Sequence, residues 1–121
     1  MAKILFADDD GFQRFRIKRL LFTVNHEMIE ATNGEEAVEK YKTEKPDLVI
    51  LDIRMPVLDG MEALKQIINF DKNAKVIMMS SIDYTKTITE AKILGIKQYI
   101  VKPFKPTKFL QVVHEVLEDI E

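Results

Sequence analysis

Five short apolar runs recur along this chain, each followed by a helix-length segment. They are Ile4 to Ala7, Met28 to Ala31, Leu48 to Leu51, Val76 to Met79 and Tyr99 to Val101. Glu30 interrupts the second, making it the weakest. The third has no polar alternation, so it reads as a strand buried on both faces, as in a parallel sheet. The segments between the runs carry helical spacing. Phe12, Phe15, Leu20 and Leu21 form the apolar stripe predicted for the first helix, with Arg14, Arg16, Lys18 and Arg19 outside it. Ala37, Val38 and Tyr41 follow Asn33-Gly34-Glu35-Glu36, a helix cap with acids in the first turn. Met61, Leu64, Ile67 and Ile68 follow Asp59-Gly60, and Ile88, Ala91 and Leu94 precede Gly95, a helix stop. Phe109, Leu110, Val113, Val116 and Leu117 build the last helix, entered through Pro106-Thr107. Strand and helix alternating five times predicts an α/β fold with a doubly wound parallel sheet.

Size and charge narrow the function. The 121 residues suffice for one core, so a single domain is expected over 1–121. A net charge of −2 supplies no basic excess for nucleic acid and no polybasic patch for a membrane. The absence of cysteine excludes thiolate chemistry and disulfides. No signal-peptide pattern and no apolar stretch of spanning length occurs, and a cytoplasmic location is expected.

Open parallel sheets place ligand chemistry at the carboxyl ends of their strands. Four of the five expected ends carry a reactive or polar group. Asp8 and Asp9 follow the first run, Asp52 the third, Ser80 and Ser81 the fourth, and Lys102 the fifth. Clustered carboxylates repel one another and need compensation, which a hard cation such as Mg²⁺ supplies. Lysine adds a point charge for a phosphate oxygen, and serine a hydroxyl donor. These are the parts needed to hold a phosphoryl group on a carboxylate, with Asp52 as the nucleophile. Singly, each has a plainer reading. Aspartates after a strand often cap a turn or helix, the role expected of Asp10, and a lone lysine is usually solvated.

At these residues the chain resembles the receiver domain of two-component response regulators. The matching features are Ala7-Asp8-Asp9, Leu51-Asp52-x-x-Met55-Pro56-x-x-Asp59-Gly60, Met79-Ser80, Gly95 and Tyr99-Ile100-Val101-Lys102-Pro103-Phe104. The likeness covers the whole chain and implies a flavodoxin-like, CheY-like (βα)5 sheet with strand order 2-1-3-4-5. It implies Asp52 as phosphoacceptor and Asp9 as direct Mg²⁺ ligand. Asp8 would help through water, and the Arg54 backbone carbonyl would be a further ligand. Ser80 and Lys102 would bind the phosphoryl group, and Tyr99 would act as the aromatic switch. A cis peptide before Pro103 is also implied. Such a protein is a phosphoacceptor switch rather than an enzyme, catalysing only its own phosphorylation and slow dephosphorylation. A histidine kinase or histidine phosphotransfer protein would donate the group.

The output would pass to an unnamed protein target through the fourth helix, fifth strand and fifth helix, where Lys86, Glu90, Lys92 and Lys97 lie. The basic residues of the first helix are candidates for donor docking, with solvation as the plainer reading. A monomer is expected, with dimerisation on phosphorylation left open. Arg54 and Ile82 are expected to slow acyl-phosphate hydrolysis by obstructing water. His26 and His114 belong to no ligand cluster and receive no function. A haloacid-dehalogenase-type phosphatase would need an acid where Arg54 stands. A flavodoxin-like cofactor binder would need a phosphate-cradling loop where Asp8-Asp9-Asp10 stands. A receiver used only for interaction need not keep the full acidic set.

Overall fold

The computed structural model describes residues 1–81 and 85–118. Strands β1 (Lys3–Ala7), β2 (Glu27–Ala31), β3 (Leu48–Asp52), β4 (Val76–Ser81) and β5 (Gln98–Lys102) alternate with five helices. These are α1 (Gly11–Phe22), α2 (Gly34–Glu44), α3 (Gly60–Phe70), α4 (Thr85–Leu94) and α5 (Pro106–Leu117). The strands form one parallel sheet in the order β2-β1-β3-β4-β5. The predicted architecture and strand order are both present.

Alternation along the strands sorts the core into two layers, because successive side chains leave opposite faces of a sheet. Leu5, Val49, Leu51, Val76 and Met78 pack with Val38, Tyr41, Leu64, Ile67, Ile88 and Ala91 of α2, α3 and α4. Ile4, Phe6, Leu48, Ile50, Ile77 and Met79 pack with Ile17, Leu21, Phe109, Val113 and Val116 of α1 and α5. All five residues of β3 are buried, as its unbroken apolar run requires of a central strand. The helix starts follow local chemistry. Asp10, Asn33 and Asp59 each accept a hydrogen bond from a first-turn N–H, from Phe12, Glu36 and Glu62 respectively. Gly95, with φ of 113°, ends α4 as expected.

Helix α1 corrects the sequence reading. Its inward residues are Ile17 and Leu21, with Leu20 partly buried, whereas Phe12 and Phe15 face solvent. At 100° per residue, Phe12 and Phe15 lie far around the helix from Ile17 and Leu21. Two apolar stripes compete on this helix, and the sequence reading merged residues from both.

Candidate functional site

The parallel register brings the predicted polar groups to one edge. Asp52 ends β3 opposite Met79, and Ser80 comes one residue later on β4. Ser81 pairs with Lys102 at the end of β5. Asp8 follows β1, and its N–H donates to the carbonyl of Ala31 at 3.1 Å.

The side chains then converge. Lys102 Nζ donates to Asp52 Oδ2 at 3.0 Å and lies 3.6 Å from Asp8 Oδ2. Asp52 Oδ1 accepts a long 3.4 Å bond from the N–H of Arg54. Asp8 Oδ1 accepts from the N–H of Asp10 at 2.9 Å. Asp8, Asp9 and Asp52 can each bring a carboxylate oxygen within 4.8 Å of the others. Asp8 and Asp52 are buried while Asp9 is exposed, so the cluster opens on one side. A cavity of about 480 Å³ lies beside it, lined by Asp9, Ile53, Arg54, Met55, Pro56 and Asp59.

Burial is the largest influence on Asp8 and raises its pKa from 3.8 to about 6. The Asp10 N–H opposes that rise, the negative charge of Asp52 reinforces it, and Lys102 again opposes it. One lysine therefore faces two buried carboxylates, and the compensation is incomplete. Among the described residues, two buried atoms here have no hydrogen-bond partner: Asp8 Oδ2 and Ser80 Oγ. Such orphans are costly in a folded protein and mark polar groups that a bound ligand can satisfy.

The backbone around the site is held by close contacts. A Cβ on Gly60 would sit 2.2 Å from the carbonyl oxygen of Asp52, so only glycine lets α3 start against the end of β3. A Cβ on Gly34 would sit 2.0 Å from the carbonyl oxygen of Leu58, which accepts the Gly34 N–H at 2.9 Å. That bond anchors the β3–α3 loop on α2. The peptide between Lys102 and Pro103 is cis, as the resemblance implied.

The other expected residues are more dispersed. Tyr99 is 36% exposed, with Lys92 Nζ 4.9 Å from its ring centroid. Lys86, Glu90, Lys92 and Lys97 are exposed. Ile82 lies outside the described residues. His26 and His114 stand at the opposite end of the sheet, in neither case near the acidic cluster.

Sequence reasoning missed Arg14 and the role of Gly34. Arg14 turns inward, donating from Nη1 to the Asp8 carbonyl at 2.8 Å and from Nε to Glu30 Oε1 at 3.0 Å. It braces the backbone that presents the acidic pair. Glu30, the polar break in the second apolar run, was the available clue that a cation would be needed nearby.

A doubly wound sheet with acids, a hydroxyl and a lysine at its carboxyl edge defines a phosphate-handling switch domain. The profile of the response regulator receiver domain matches residues 4–114, and the chain belongs to that family. It is 42% identical to the chemotaxis protein CheY of Thermotoga maritima, over 94% of this chain and 96% of that one. It is 44% identical to protein CcdB of Bacillus subtilis, over 97% of this chain and 98% of that one. Its fold superposes with a TM-score of 0.91 on a chain of the CheX–CheY–BeF3–Mg²⁺ complex from Borrelia burgdorferi. That match is 38% identical and covers 97% of this chain and 90% of the other. The protein is therefore a response regulator of two-component signalling, from a family of phosphoacceptor switches that bind Mg²⁺ at an acidic pocket. CheY-like receivers act between histidine kinases and downstream targets. Among the described residues, no helix is long and apolar enough to cross a membrane.

Proposed function

We propose that Asp52 is the phosphoacceptor and that Asp8, Asp9, Ser80 and Lys102 serve it in a Mg²⁺-dependent transfer. The observation that carries this reading is the pair of orphaned buried atoms, Asp8 Oδ2 and Ser80 Oγ, flanking the Asp52–Lys102 contact. Asp8 Oδ2 shares the Lys102 cation with Asp52 from 3.6 Å away, and Ser80 Oγ has no acceptor among the described residues. The carboxylates of Asp8, Asp9 and Asp52, with the Arg54 backbone carbonyl, would hold Mg²⁺. That ion would neutralise the charge gathering on the transferred group.

In the transfer, an Asp52 carboxylate oxygen forms a bond to phosphorus as the P–N bond to the donor histidine breaks. The leaving imidazole takes a proton from solvent. Lys102 pairs with a phosphoryl oxygen, releasing part of its hold on Asp52, and the Ser80 hydroxyl donates to another. The protein's part is position and charge, which dominate phosphoryl transfer. The same residues would support slow loss of the group to water. Arg54, exposed at the mouth of the cavity, would restrain that water. The donor is a histidine kinase or histidine phosphotransfer protein. The phosphoryl-bound state is read by a protein target at the face of α4, β5 and α5, with Tyr99 turning as Ser80 moves. The setting is cytoplasmic.

The test is intact mass after incubation with acetyl phosphate and Mg²⁺, beside Asp52→Asn. One added phosphoryl group is expected, absent when Mg²⁺ is chelated before the donor is added and absent from the variant. No added group from acetyl phosphate or from a phosphorylated histidine donor would overturn the reading.

A further inference from the structure

Arg14 occupies an unusual place for a cation. It shares a helical face with Ile17 and Leu21, which are fully buried against the sheet. Its side chain is 18% exposed, and a charge so placed needs fixed partners. Glu30 is one of them. It stands beside Phe6 in the register of β2 on β1, and Phe6 packs in the α1 layer, so the edge strand turns this carboxylate toward the helix. Glu30 Oε1 accepts from Arg14 Nε at 3.0 Å, and Lys18 Nζ lies 3.7 Å from Glu30 Oε2. With Nε held on β2, the planar guanidinium directs Nη1 at the Asp8 carbonyl, 2.8 Å away.

That carbonyl belongs to the peptide joining Asp8 to Asp9. The next peptide, joining Asp9 to Asp10, is held from the other side, because its N–H donates to Asp8 Oδ1 at 2.9 Å. Asp9 thus stands between two clamped peptide planes. Its two backbone torsions are rotations relative to those planes, so the clamps fix the direction in which its side chain leaves the chain. Burial helps to orient Asp8 and Asp52, whereas Asp9 is exposed and depends on its backbone.

We propose that Arg14 is a positioning residue for the metal site, aiming the Asp9 carboxylate through the Asp8–Asp9 peptide and thereby setting Mg²⁺ affinity. The inference rests on the proposed function, in which Asp8, Asp9 and Asp52 hold that ion. Charge alone would act in the opposite sense. A cation beside an acidic cluster repels Mg²⁺, so an Arg14 that mattered only by its charge would weaken binding. Here Glu30 pairs with that charge, and the held peptide strengthens binding.

Isothermal titration calorimetry of Mg²⁺ into the unphosphorylated full chain tests this. Arg14→Met should raise the Mg²⁺ Kd about tenfold, the low end for groups that orient metal ligands. Arg14→Lys keeps the charge, but its single nitrogen cannot stand at both the Nε and Nη1 positions, and a rise of about threefold is expected. Glu30→Met should weaken binding too, and adding it to Arg14→Met should cost little more, because Glu30 acts through Arg14. Circular dichroism confirms that each variant is folded, and Arg14→Lys carries the test if Arg14→Met does not fold. Tighter binding by Arg14→Met with no change in Arg14→Lys would reduce Arg14 to its charge and overturn the proposal. So would unchanged affinity in both, or a double variant weakened by the product of the single effects. A wild type that binds no Mg²⁺ would overturn the proposed function and this inference with it, whereas the other outcomes leave that function standing.

Discussion

The two ends of the sheet carry similar kinds of residue and treat them oppositely. At the amino end, the Ala2 N–H donates to His26 Nδ1 at 3.0 Å and the Lys3 N–H to Asp47 Oδ2 at 2.8 Å. At the carboxyl end, Asp8 Oδ2 and Ser80 Oγ are buried with no hydrogen-bond partner among the described residues, and two buried carboxylates share one lysine. The amino end also has the larger cavity, about 640 Å³ against about 480 Å³. Volume is thus a poor guide to chemistry. The site lies where the fold leaves polar groups unsatisfied, because those groups gain most when a ligand arrives.

The largest expected effect comes from removing the shared cation. Lys102→Ala should slow phosphoryl uptake by about 10²- to 10³-fold, the typical loss for one preorganised charge partner. Rates measured with acetyl phosphate and Mg²⁺ check it, and a variant within a few-fold of wild type would remove Lys102 from the site. Gly34→Ala attacks the packing of that end instead. Its Cβ would meet the Leu58 carbonyl oxygen at 2.0 Å, so the β3–α3 loop must move. Urea unfolding should register a loss of about 2–4 kcal/mol, the scale of strain without a rotamer to relieve it.

Asp8→Asn should act in the opposite direction. Burial raises the Asp8 pKa from 3.8 to about 6, so its stabilising contribution is complete below about 3.8 and lost as pH rises through about 6. Without metal at pH 7 the asparagine variant should be more stable by about 2–3 kcal/mol. The advantage should vanish near pH 4, and Mg²⁺ should stabilise wild type but not the variant. Urea titrations at the two pH values, with and without Mg²⁺, decide it.

At the other end the expected effect is smallest. Burial, then the amino terminus and His114, lower the His26 pKa. Its contribution is present above pH 6.5 and lost as pH falls through the folded value, when a protonated Nδ1 can no longer accept from Ala2. Solvent screening holds this to about 0.5 kcal/mol or less. His26→Gln should flatten the stability curve only below pH 6.5. A larger change there than Asp8→Asn produces would reverse the contrast between the two ends.

The strand ends were legible because their chemistry is written in consecutive residues. Asp8-Asp9, Asp52 and Lys102 each close an apolar run, and parallel pairing leaves those closures one common edge. The caps were legible too, since Asp10, Asn33 and Asp59 bond within their own first turns. Arg14 was not. Its inward turn answers the Asp8 carbonyl six residues back and Glu30 sixteen residues on, and no local spacing encodes that second partner.

The α1 stripe marks the boundary most clearly. The sequence by itself determined that a helix follows β1, what caps it, and that it carries two sets of apolar side chains. Which set faces inward was decided by the tertiary structure, where the sheet and α5 offer a surface that Ile17 and Leu21 fill and the phenyl rings do not. The same division holds at the site. Residue types and their order are local and can be read along the chain. The shortfall of charge around Asp8 and the orphaned Ser80 hydroxyl depend on burial and distance, which exist only once four strands lie side by side.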